Sequence, residues 1–368
     1  MLLSDRFGVQ VEWYKNPDRA WLARAWLDLE SRSSANFFLS WLWIGTWLDC
    51  FVKEFTLIEA KLDGQTVGLG IVVTKRHMLS SQWWRKQHFL HRTGSQQEDQ
   101  IWIEYNDFLI ADQEHNAIRE AMCASVLSWI DIHDVFIVGA SLADKFHTLS
   151  TLGLTERTVW ETNNYFLDLN ELRESKQTLS QYLSRNARYS ITRSLREYQK
   201  IGDVVVRKAQ TLDEGLALLK MAKPLHIARW GSGANGSGMA NPLFLAFHEK
   251  LIQKGMATGE IELYHITAGA ETIGIIYNFY YRGVVYFYLG ALNYCHKSTH
   301  FKPGLVSHYL LINQAMDDGA CAYDFMGGKA RYKSTFSNQE GNLVVSHYSN
   351  PNIFLSMESF ARKMKHRF

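Results

Sequence analysis

Two distant stretches of the chain share one alternation of apolar and polar positions. Leu57 to Ile71 reads LIEAKLDGQTVGLGI and Leu263 to Tyr277 reads LYHITAGAETIGIIY. Each predicts a strand, a glycine turn and a second strand. Val67-Gly68 aligns on Ile273-Gly274 and Thr66 on Thr272, an offset of 206 residues. The segments downstream match as well: Asn116 to Trp129 and Leu305 to Ala315 are amphipathic at helical period, and lead into the apolar strands Val135 to Gly139 and Ala322 to Met326. Ahead of the hairpins, Arg19 to Leu29 and Asp213 to Lys223 read as helices, the second opened by Thr211 and Glu214 at capping-box spacing. Helix, hairpin, helix and strand recur in one order, which predicts a tandem duplication of one α/β unit with its seam between Gly153 and Leu169. The expected division is 1–160, 161–346 and a tail over 347–368.

Composition agrees with two folded units. The chain has 368 residues, 46% of them hydrophobic, with 12 Trp and only 5 Pro, which leaves little room for disorder. A net charge of +2 is too balanced for a protein whose main task is coating nucleic acid or an anionic membrane. Cys50, Cys123, Cys295 and Cys321 are widely spaced and read as reduced thiols of a cytoplasmic protein. Met1 to Tyr14 does not have the pattern of an export leader, and the apolar stretch Asn36 to Phe55 is broken by Asp49, Lys53 and Glu54, so no membrane span is expected. Its aromatic run, Phe37 to Phe51, fits core packing better than a peripheral membrane face.

Several segments of the second half carry a family likeness in their order and spacing: YLSRNARYSITRSLREYQKIG, HIARWG, ETIGIIYNFYYRGVVYFYLGAL, KPGLVSHYLL and GACAYDFMGGKARYKSTF. Over Asn163 to Phe336 the chain resembles the GNAT acyltransferase superfamily, in its CelD-like cellulose-biosynthesis branch related to the FemAB peptidyl transferases, with a weaker echo over Asp18 to Gly139. The resemblance implies an α/β fold, a tandem GNAT-like duplication in which each half is a mixed, mostly antiparallel sheet flanked by helices. It implies acetyl-CoA or another acyl-CoA as co-substrate, bound where two strands splay apart, with the pyrophosphate at the start of the following helix. A helix N-terminus suits phosphate because its N–H groups lack partners and carry partial positive charge. Here that place is Pro303-Gly304-Leu305-Val306, with Lys302 beside it; the usual Arg/Gln-x-x-Gly-x-Gly/Ala signature is absent, and the same residues also suit a plain helix start. In the first half the equivalent segment, Asp112 to His115, is acidic and glycine-free, which should repel a pyrophosphate.

The candidate chemistry centres on YDFMGGKARYKSTF. By resemblance to the FemAB relatives, Lys333 between Tyr332 and Phe336 lies in the donor channel, where a cation shielded from water stabilises a developing oxyanion; the alternative is a lysine that covers a strand end. Asp324 inside an apolar strand needs a partner or a role as base. The superfamily resemblance implies that Tyr288 protonates a departing thiolate; the alternative is core packing. Arg185, Arg188, Arg193, Arg196 and Lys200 fall within an arc of about 140° on one helix, either a solvated face or a surface for acidic or phosphorylated partners. Arg229 and Trp230, ahead of the Gly- and Ser-rich loop Gly231 to Gly238, join Arg188 and Tyr332 as expected substrate-binding residues. Cys295, His296 and His300 suggest a metal at first sight, but no further ligand stands at zinc-like spacing, so none is expected. The expected acceptor is an amine, a small molecule or a glycan or cell-envelope precursor. Transfer RNA as an aminoacyl donor, or a binding protein that has lost catalysis, are the other readings.

Overall fold

The computed structural model describes residues 8–80, 83–233 and 236–351. The chain forms two compact units: the first runs to Glu161 and takes up the chain again from Asn342, and the second is Thr162–Gly341. Most of the expected tail, residues 352–368, lies outside the described residues.

The first unit opens with strand β1 (Val9–Lys15), helices α1 (Arg19–Ser31) and α2 (Trp41–Phe51), and strands β2 (Thr56–Leu62), β3 (Gln65–Ser80), β4 (Trp83–Leu90) and β5 (Leu109–Ile110). Helix α3 (His115–Trp129), strand β6 (Val135–Leu142), helix α4 (His147–Thr151) and strand β7 (Thr155–Asp168) come next, the last running on into the second unit. β1 to β4 pair antiparallel in order, and β6 then lies parallel to β4, with α3 as the crossover. The aromatic run belongs to the core: Trp43 and Trp47 are about 1% exposed and Phe37 and Phe38 are fully covered. Truncating one such ring to alanine costs about 3–5 kcal/mol, so α2 is held by packing.

The second unit begins with helices α5 (Leu169–Glu174), α6 (Leu179–Tyr182) and α7 (Arg185–Gln199), then strand β8 (Val204–Lys208), helices α8 (Leu212–Trp230) and α9 (Pro242–Gly255), and strands β9 (Ile261–Ala268), β10 (Glu271–Tyr281) and β11 (Val284–Leu292). Helix α10 (Pro303–Asp317), strand β12 (Ala322–Gly327) and helix α11 (Arg331–Phe336) complete it, and strand β13 (Gln339–Ser349) leaves it to pair antiparallel with β6. Its sheet runs β7-β12-β11-β10-β9-β8, antiparallel except where β12 lies parallel to β11 across the α10 crossover. α7 and α10 cover one face and α8 and α9 the other. The capping box of α8 forms, but the helix does not stop before Pro224 as the sequence suggests; it continues to Trp230. A proline costs a helix one donor and some bending, and here the extra turns place Arg229 and Trp230 at the helix end.

The duplication is present in fine detail. β4, α3 and β6 repeat as β11, α10 and β12, a parallel pair across a helix in each unit. The hairpins carry the same irregularity: the ladder of β2 and β3 skips Val67, and that of β9 and β10 skips Ile273. A bulge adds one residue to one strand, and these two bulges stand at the offset read from the sequence. Both are followed by a glycine against a helix. A Cβ on Gly68 would meet Met122 Sδ at 2.6 Å, and one on Gly274 would stand 3.4 Å from Ser307 Oγ.

Candidate active site

The parallel ladder between β11 and β12 is short. Val284 to Tyr286 pair with Ala322 to Asp324, and beyond them each strand continues without the other. The bend that parts them is built by Asp324, whose Oδ1 accepts the Met326 N–H at 2.7 Å where the register with β7 shifts. Met326 takes a left-handed conformation at φ 59° and Gly328 one at φ 116°. Gly328 is therefore the glycine that the corner requires, because a side chain strains that backbone region. Asp324 is buried and acts on the backbone of its own strand.

Lys333, on α11, turns back into this opening. Its ammonium donates to the Gly327 carbonyl, lies 5.9 Å from the centre of the Phe287 ring of β11, and is 8% exposed. The lysine thus bridges the two strands where their own hydrogen bonds end. Around it stand Tyr332, Phe325 and His308. His308 lies on α10, its ring stacked on Tyr332 at 4.8 Å, with Nδ1 3.2 Å from the Tyr323 hydroxyl and Nε2 buried without a hydrogen-bond partner among the described residues. Burial, and then the Lys333 charge, hold its pKa down to about 3, so the ring is neutral. Burial likewise pushes the Tyr332 phenol up. The site is dry, apolar and crossed by one cation.

The start of α10 adjoins it. Lys302 holds the N-cap position without a side-chain cap; its backbone N–H donates to Ser194 Oγ at 2.9 Å and its ammonium to Ser190 Oγ at 3.4 Å, both on α7. Pro303 fills the first turn, where its missing donor is no loss, and the Gly304 and Leu305 N–H groups follow. A Cβ on Gly304 would stand 3.9 Å from Tyr332 and 4.0 Å from the Tyr294 hydroxyl, so both rings border the helix start, while Val306 is buried beneath it. The Arg229 guanidinium lies 5.0 Å over the Tyr294 ring and 5.7 Å from that of Trp230, which is 60% exposed. A cation over an aromatic face is held in place at modest cost, and through Tyr294 the end of α8 meets the start of α10.

Two expected residues stand elsewhere. Arg188 donates to the carbonyls of Ser180, Gln181 and Leu183 at 2.7–3.4 Å and locks the turn from α6 into α7. Tyr288 is on β11, but alternation sets it on the face opposite Phe287 and Lys333. There its hydroxyl bonds His248 Nε2 at 2.9 Å, and His248 Nδ1 reaches the Tyr277 hydroxyl at 3.2 Å. Burial lowers the His248 pKa to about 3, so a neutral imidazole links two phenols. Of the expected closing loop, residues 234–235 lie outside the described residues; Ser237 is tied to His226 Nδ1 at 2.7 Å. Sequence reasoning missed Tyr294, His248 and His308, which lack motif spacing. In the first unit the start of α3 bears Glu114 as its N-cap after Asp112, as the acidic segment suggests.

Comparison with known proteins assigns a domain within the second unit. Residues 185–334 match the model of the acetyltransferase (GNAT) domain, from the first residue of α7 to the residue after Lys333. That segment of the second unit is a GNAT acetyltransferase domain. No curated protein sequence matches it. Among solved structures, FemX superposes with a TM-score of 0.60 at 12% identity over 94% of this chain and 99% of that one. L-PGS from Bacillus licheniformis gives 0.53 at 13%, over 94% and 96%. The C-terminal domain of a putative lysylphosphatidylglycerol synthetase from Agrobacterium fabrum gives 0.52 at 8%, over 90% and 92%. At such identities the likeness is one of fold, and it spans both units of the duplication. No helix among the described residues is long and apolar enough to cross a membrane.

Proposed function

We propose that this acyltransferase takes its acyl group from acyl-CoA in the second unit and passes it to an amine. The observation that carries the reading is the conjunction of an uncapped helix start with a strand splay crossed by a buried lysine. The Gly304 and Leu305 N–H groups and Lys302 take the pyrophosphate, and Arg229 supplies at the α8 end the charge that the absent signature would bring. The thioester enters between β11 and β12. The amine nitrogen attacks the thioester carbon, the Lys333 ammonium faces the oxyanion, and collapse breaks the carbon–sulfur bond. Tyr288, its phenol oriented by His248, gives its proton to the departing thiolate and takes back the proton that the amine nitrogen loses; because it lies on the other face of β11, this requires the thioester sulfur to sit within the splay. The acyl group is acetyl or longer, and the acceptor is an amine of a small molecule or a polysaccharide or cell-envelope precursor in the cytoplasm.

Thermal melting with acetyl-CoA and longer acyl-CoAs tests the donor; a bound thioester raises the midpoint by mass action. No rise with any thioester, and no acceptor-dependent release of free thiol, would sink the reading. The shared fold of FemX favours a second one, in which aminoacyl-tRNA is the donor. Gel shift with charged transfer RNA at two salt concentrations separates them, because phosphate contacts weaken steeply with salt.

A further inference from the structure

The loop that joins β11 to α10 brings together residues that the acyl-transfer reading does not use. Cys295 and His296 lie in it, and Glu271 is the first residue of β10. His296 Nε2 is 2.6 Å from Glu271 Oε1, Cys295 Sγ is 3.9 Å from the same oxygen, and the three donor atoms all lie within 4.8 Å of one another. Among the described residues this is the one group of three Cys, His or carboxylate donors so placed. His300, the ligand that spacing alone brings to mind, is turned away, with its Nε2 taking a bond from Arg193 at 2.6 Å.

The frame around the cluster is fixed. Asn293 donates to the Thr272 carbonyl at 2.9 Å and accepts the Cys295 N–H at 3.1 Å, which pins the loop beside the start of β10. The His296 ring lies flat on Phe301 at 3.8 Å and 13°. A second observation points to a ligand. Tyr198 of α7 is 1% exposed, and its hydroxyl has no hydrogen-bond partner among the described residues. Its ring stands edge-on to that of His296, 6.3 Å between centres, which sets Tyr198 beside the cluster.

We propose that Glu271, Cys295 and His296 bind a zinc ion that fastens the β11–α10 loop to β10, with the Tyr198 hydroxyl bonded to the water in the fourth position. Thiolate, imidazole and carboxylate together suit Zn²⁺, whereas calcium and magnesium take oxygen ligands alone. Tetrahedral coordination separates ligand atoms by roughly 3.3–3.8 Å, so the His296–Glu271 hydrogen bond opens slightly and Cys295 moves in. On binding, the Cys295 thiol releases its proton to solvent, and His296 ligates through a deprotonated Nε2. The loop so fastened leads directly into Lys302 and Gly304, and the site stands whichever donor the enzyme uses.

The test is cobalt titration of the untagged full chain after stripping with a chelator, followed by displacement with zinc. A thiolate-to-cobalt charge-transfer band with tetrahedral d–d bands should saturate at one equivalent, and zinc should erase it and raise the thermal midpoint. Cys295→Ser should remove the band, and His296→Ala should weaken zinc at least about tenfold. Cys50→Ser and Cys321→Ser, which remove thiols elsewhere in the chain, should leave both unchanged. The proposal is overturned by a missing thiolate band, by a band that survives Cys295→Ser, or by one that disappears with Cys321→Ser.

Discussion

Lys333 joins two functions in one atom: its ammonium closes the Gly327 carbonyl and is the charge that the stacked rings around His308 face. Lys333→Met keeps length and apolar bulk and removes the charge. It should lower kcat by about 10²–10³ if the ammonium meets the oxyanion, with a stability loss of about 1–3 kcal/mol for the carbonyl left unpaired. Lys333→Arg should not restore turnover, because a planar fork cannot take a point-charge position. Near-normal kcat in Lys333→Met on an acceptor that the wild type uses would falsify the catalytic role and leave a structural lysine. Gly328→Ala is the complementary change. Its Cβ would enter at φ 116° and stand 3.4 Å from the Lys333 ammonium, so it should lower both the thermal midpoint and kcat. Gly327, which the sequence presents just as strongly, shows no left-handed backbone and should tolerate alanine better.

At the scale of elements, the hairpin bulges test whether the duplicated units use one packing device. A Cβ on Gly68 would press on Met122 Sδ at 2.6 Å, Ala60 Cβ at 3.0 Å and Ile118 at 3.1 Å; one on Gly274 meets Leu292 at 2.8 Å and Ser307 Oγ at 3.4 Å. Gly68→Ala should cost about 1–3 kcal/mol through overpacking, read as a fall in urea midpoint. Gly274→Ala should cost less, since the tip of Leu292 can swing and Ala60 Cβ cannot; equal or reversed losses would contradict a shared device. These elements were legible in the sequence because strand alternation, turn glycines and helical period are local signals. Lys333, Gly304 and Arg229 could be picked out for the same reason, since each lies within a turn of a punctuated element boundary. It could not reveal that Arg188 faces the α6 carbonyls, that Tyr288 and Lys333 address opposite faces of β11, or that Tyr294 ties α8 to α10. Such facts arise from which face of a strand or helix turns toward which neighbour, and no spacing within one segment encodes them.

For the whole molecule, buried imidazoles set the response to acid. Burial holds His91 and His226 at about 4 and His248 and His308 at about 3, against an ordinary value of 6.5. Each is neutral in the folded chain and binds a proton once unfolded below pH 6.5, so the unfolded state gains protons and stability rises with pH across that window. Above pH 6.5 the four contribute no slope. As pH falls from 6.5 toward 3–4 the loss grows at about 1.4 kcal/mol per pH unit for each histidine, and between about pH 6.5 and 5 it precedes the protonation of ordinary carboxylates. The urea midpoint should therefore be flat from about pH 8 to 7 and drop steeply by about pH 5. His308→Phe isolates one contributor. Phenylalanine fits among Phe287, Phe325 and Tyr332, removes a ring nitrogen that has no partner among the described residues, and gives up only the bond to Tyr323. Stability near neutral pH should change little, while the acid slope should become shallower. A His308→Phe protein whose midpoint falls with acid as steeply as the wild type would mean that His308 is already charged in the fold, and that the dry setting argued for Lys333 is wetter than its neighbours suggest.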